Sequence, residues 1–152
     1  MLVELQARLA DWERAAMHLG RAIVAYSVAF LLWLLFLVAF LPASEMIHAE
    51  PLPQVIALLF LGAMAVEAAW GTLDLLRFAW LSGGGLLRLA ALELAIALDA
   101  VLLYPPLHAL SPTLGLALLV TSAALAGAAL LAHIEVVEGA LARRLRARPR
   151  GA

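Results

Sequence analysis

Four acidic residues, Glu67, Asp74, Glu93 and Asp99, interrupt two consecutive apolar stretches in a chain of 152 residues. A carboxylate at bilayer depth costs about 2.5–3.5 kcal/mol on insertion scales, so such groups persist only when paired, protonated, hydrated or put to use. Carboxylates in that setting suit proton exchange or the binding of a hard cation such as Mg²⁺, Ca²⁺ or Mn²⁺. Glu67 and Asp99 have no arginine at their depth, and only Tyr26, Ser27, Thr72, Thr121 and Ser122 offer polarity nearby. Burial disfavours their charged forms, and a proton shared between them is the least costly way to hold them together. A proton or cation pathway through Glu67, Asp99, Tyr26, Ser27, Thr121 and Ser122 is one reading; a neutral, hydrogen-bonded structural pair is the other.

Depth comes from counting outward from the turns. Ser82, Gly83, Gly84 and Gly85 form a tight turn, so residues whose numbers sum to about 167 stand level on antiparallel helices rising about 1.5 Å per residue. Glu67 then faces the level of Asp99, and Asp74 that of Glu93. Counting across the preceding loop brings Arg21 to the level of Asp74. Arg21, Asp74, Arg77, Arg88 and Glu93 therefore form a candidate ion-pair layer near the membrane boundary. A weak internal echo, AVEAAWGTLDLLRF against ALELAIALDAVLLY, has the form of an inverted repeat.

The elements that must position these groups are apolar helices. Hydrophobic residues make up 66% of the chain and mean hydropathy is +1.02, well outside the range of a soluble domain. The fold expected is all-α, a polytopic membrane protein with a four-transmembrane-helix bundle. Spans are expected over about residues 20–41, 54–80, 86–104 and 113–134, within a transmembrane domain of 19–138; Pro105 and Pro106 are expected to stop the third. Residues 1–18 read as an amphipathic interfacial helix and 139–152 as an Arg-rich tail. No cleaved signal peptide is expected, because the residues before span one carry mixed charge.

All ten basic residues are arginine, which points to a GC-rich prokaryote and its plasma (inner) membrane. They precede the first span, flank the SGGG turn or follow the last span, and the other two loops hold none. Both termini are accordingly expected in the cytoplasm. With no cysteine, disulfides, thiolate metal sites and cysteine nucleophiles are excluded.

His18 and His133 fall at the same membrane edge, so axial haem ligation is conceivable if the first and last helices are neighbours. His48 and His108 fall in the outer loops. Ala123 and Gly127, like Ala124 and Ala128, recur at four-residue spacing and permit close helix approach within the bundle or between copies. No catalytic, phosphate-binding or nucleic-acid motif occurs, and no cofactor is expected beyond a hard divalent cation or haem. The partners expected are the bilayer and either further copies or a larger membrane complex. A membrane scaffold or accessory subunit is thus the alternative to proton or cation transport.

The stretch from Val66 to Glu138 contains VE followed by LDLLRF, a Gly-containing turn, LLRLAALELAIALDAVLLY and a closing HIEVVEG. It resembles small bacterial membrane proteins akin to the phosphate-starvation-inducible E family, with Glu93 and Asp99 in the LE-x5-D pattern as its best points. That resemblance implies a small four-helix plasma-membrane protein.

Overall fold

A computed structural model describes residues 2–40 and 50–146, all but a few of them helical; residues 41–49, with Ser44 and His48, and the final residues, with Arg148 and Arg150, lie outside them. Helix α1 covers Leu2–Phe40, α2 Pro51–Ser82, α3 Gly85–Leu110 and α4 Pro112–Arg146. The amphipathic segment and first span expected as separate elements are one continuous helix. No proline precedes position 42, and one Gly at position 20 costs only about 1 kcal/mol against Ala, too little to break a long apolar helix.

Prolines account for two further differences. Helix α2 begins at Pro51 and takes in Pro53, because the amide protons that proline lacks have no helical partner in the first turn anyway. Helix α3 runs through Pro105 and Pro106 to Leu110 instead of stopping at Tyr104. Proline's fixed φ is helical, Pro106 is buried against neighbours, and packing offsets the lost hydrogen bonds. His108, expected in a loop, consequently lies in the last turns of α3 with its ring stacked on Tyr104, centroids 5.3 Å apart. Helix α4 likewise continues past the expected tail boundary to Arg146. Gly83, at φ 96°, closes α2 in the left-handed conformation, which makes the expected sharp reversal into α3.

Helix α1 packs along α2, α2 along α3 and α3 along α4, while α1 meets α3 over a shorter stretch. The seam residues recur at steps of three, four or seven: Ala15, Ala22, Ala25 and Ala29 on α1, Met64, Ala68, Gly71, Leu75 and Ala79 on α2. This is the spacing of helices crossing at a shallow angle. Near the SGGG turn the core is mostly alanine, built on Ala22, Ala79, Ala91 and Ala95, so the helices approach closely there. At the opposite end Phe36, Phe40 and Met64 fill it, with Phe60 edge-on to Phe40 at 5.9 Å.

The outward surface is no less apolar. Val38, Leu59, Val101 and Leu131 are all more than 60% exposed. Three helical stretches, Leu9–Phe40, Pro51–Ser82 and Pro112–Leu141, are long and apolar enough to cross a membrane. Helix α3, which carries Arg88, Glu93 and Asp99, is the fourth member of this all-helical bundle.

Candidate functional site

Asp74 is the only fully buried charged residue among those described. Its Oδ1 lies 2.7 Å from His18 Nδ1, which donates to it, and 3.4 Å from Arg77 Nη1; Arg21 Nε lies 3.9 Å from Oδ2. The position follows from α2, whose α1-facing seam runs through Leu75 and Ala79, and from α1, where His18 and Arg21 stand three residues apart on one face. The structure therefore brings three groups to Asp74, Arg77 from one turn further along α2 and His18 and Arg21 from α1.

The remainder of the expected layer is arranged differently. Arg88 lies over the Trp80 ring at 4.0 Å and donates from Nη2 to the Trp80 carbonyl at 3.4 Å. It reaches neither acid, because a cation–π contact one turn across the α2–α3 reversal is closer. Glu93 instead has His133 Nδ1 at 3.3 Å from its Oε1. Each candidate haem histidine thus engages a carboxylate on another helix, and α1 and α4 are not packed together to any comparable extent. No group of three or more His, Asp or Glu side chains suited to a metal ion occurs among the described residues.

Asp99 is held by hydroxyls. Thr72 Oγ1 donates to its Oδ2 at 2.8 Å, and the Tyr26 hydroxyl lies 3.3 Å from Oδ1 and 2.8 Å from Thr72 Oγ1. One residue from each of α1, α2 and α3 meets in this triad. Gly71 makes it possible: a Cβ there would stand 2.8 Å from the Tyr26 ring, so only glycine lets the ring lie flat on α2. Thr72 carried no strong signal in the sequence, since threonines are common in apolar helices. Replacement of Asp99 by Ala is expected to lower stability by about 1–2 kcal/mol, at roughly 0.6 kcal/mol or a little more for each interhelical hydrogen bond in a bilayer. Asn at the same position keeps an acceptor for Thr72 and should recover most of it, as read from thermal unfolding in detergent.

Glu67 does not face Asp99. It lines a groove of about 370 Å³ with Met17, Gly20, Arg21, Val24 and Trp70 on the side of α2 that meets α1, and it has no hydrogen bond or ion pair among the described residues. The correction has a simple cause. Glu67 shares Asp74's face at a seven-residue spacing, and that face looks toward α1, while the Thr72–Asp99 bond shifts the α2–α3 register about five residues from the count, so Glu67 is neither level with Asp99 nor turned toward it. Ser27 donates to its own helix at Ile23 O, 2.7 Å away, and borders an apolar groove of about 670 Å³ between α1 and α3. Thr121 is exposed and Ser122 half-buried on α4, which packs on the far helix of the row, and neither forms a hydrogen bond with the Asp99 triad.

Chemically, the arrangement is three separate interhelical bridges and one unpartnered acid, with no nucleophile paired to a base and no converging metal ligands among the described residues. Comparison with known proteins found no matching family model, no matching curated protein and no matching solved structure.

Proposed function

We propose that this chain is a non-catalytic integral membrane scaffold or accessory subunit, whose intramembrane polar groups fasten its own helices and prepare a surface for assembly. One observation carries this reading: three of the four acids in the apolar stretches each bridge neighbouring helices. Asp74 joins α2 to α1, Asp99 joins α3 to α2 and α1, and Glu93 joins α3 to α4. Where the surroundings are as apolar as lipid, burial of apolar surface cannot drive helices together, and such hydrogen bonds with close small-residue packing take its place. A double-mutant cycle tests it. Removing His18 and Asp74 together should cost much less than the sum of the two single losses, with a coupling of about 1–3 kcal/mol in unfolding free energy. Additive losses would sink the bridge.

In this reading all four helices cross the plasma membrane and both termini are cytoplasmic, supported by the distribution of arginines. Helix α3, with its acids turned to partners on α2, α1 and α4, crosses under the cover of its neighbours. A cysteine at Ser111 should be labelled by an impermeant maleimide from outside intact cells and one at Gly84 should not. Outside labelling at Gly84 would overturn the topology.

The second reading, proton or cation transport, draws support from the Tyr26–Thr72–Asp99 chain, since hydroxyls joined to a carboxylate can pass a proton. Against it, Glu67 opens on the outer surface between α1 and α2, apart from that chain.

A further inference from the structure

Glu67 is the acid that the fold does not use, and it stands at the middle of α2, where a membrane is driest. Exposed Leu and Val need no protein cover in lipid, but an unpaired carboxyl does. Within the chain Arg21 lines the same groove, yet it is drawn to Asp74. A second uncovered polar group exists at the same depth. Glu67 lies five residues outward of Thr72 and Tyr104 five residues outward of Asp99, so the Thr72–Asp99 bond sets Glu67 and Tyr104 level. The close approach of Gly115 to His108 and the His133–Glu93 contact then set Tyr104 level with the segment carrying Thr121 and Ser122. Thr121 is exposed, with no side-chain hydrogen bond among the described residues.

We infer that the groove at Glu67 receives α4 of a second copy of this chain, with the Thr121 hydroxyl donating to the Glu67 carboxyl. The same chemistry occurs inside the chain, where Thr72 donates to Asp99 at 2.8 Å. The two surfaces also match in shape. An added Cβ would meet nothing at Gly20 in the groove wall or at Gly127 on α4, and Ala124 and Ala128 are exposed beside Thr121, so two helix backbones can come close. Helix α4 has α3 as its packing partner within the chain, which leaves its opposite side open. Groove on one copy and helix on the next make a head-to-tail contact, which closes into a ring when the rotation permits. The inference rests on the assembly reading and supplies its contact surface.

The absence of cysteine gives a clean background for disulfide trapping. Val24 lines the groove and is 63% exposed, and Ala124 lies three residues from Thr121 on α4. A chain bearing both Val24→Cys and Ala124→Cys, oxidised in native membranes, should form a ladder of covalent oligomers, and neither single variant should. Adding Glu67→Leu should abolish the ladder and Glu67→Gln should keep it, because the amide oxygen still accepts from Thr121. No ladder from the double variant, a dimer from either single variant, or trapping of a different protein would each overturn the inference. Failure here is separable from failure of the scaffold reading, because the unfolding of Asp74 and Asp99 variants reports the internal bridges whether or not copies dock.

Discussion

Asp74→Ala is expected to destabilise the protein by about 3 kcal/mol, since removing one member of a buried charged network leaves the others desolvated and unpaired. His18, which is largely covered, loses the acceptor at 2.7 Å, and Arg21 and Arg77 lose their counter-charge. For a chain of this size the loss lowers the midpoint of thermal unfolding by roughly 6–12 °C. Circular dichroism of the detergent-solubilised variant reads this directly. Asp74→Asn retains an acceptor without the charge and should fall between the two. An Ala variant that unfolds with the parent would show that the bridge contributes nothing.

Gly71→Leu should have an effect of similar size through packing. The first atom of any side chain at Gly71 would stand 2.8 Å from the Tyr26 ring, and leucine adds three more carbons in the same space. The ring has to leave α2, and its hydroxyl leaves Thr72 and Asp99 with it. Overpacking of this kind costs about 1–3 kcal/mol, to which the lost hydrogen bonds add about 1 kcal/mol. Combining it with Tyr26→Ala should restore part of the loss, because the clash then has no partner. Absence of any rescue would mean that the glycine serves another contact.

The four helices were legible because long apolar runs bounded by Pro, Gly and Arg admit few alternatives. Asp74 with Arg21 and Arg77 was legible for a related reason: distance along antiparallel helices from a turn measures depth, and ion pairs form between groups at one depth. Depth counting missed both register and azimuth here. It set Glu67 level with Asp99, whereas the α2–α3 register gives that place to Thr72, five residues on, and rotation about α2 turns Glu67 outward between α1 and α2. His18 was visible as an edge histidine but not as Asp74's partner, because a residue's bridging role depends on which helix packs against its face. The diversion of Arg88 to Trp80 was hidden similarly, in a local contact that no spacing rule marks. Helix α3 passing through Pro105 and Pro106 shows tertiary packing overriding a local preference.

In the proposed reading Asp74, Glu93 and Asp99 fasten helices and serve no conduction path, and ion flux tests that most directly. The purified protein, reconstituted in liposomes with an internal pH dye, should pass protons and divalent cations no faster than protein-free liposomes under an imposed gradient. Flux clearly above that level, abolished in folded Asp99→Asn or Glu67→Gln protein, would contradict it.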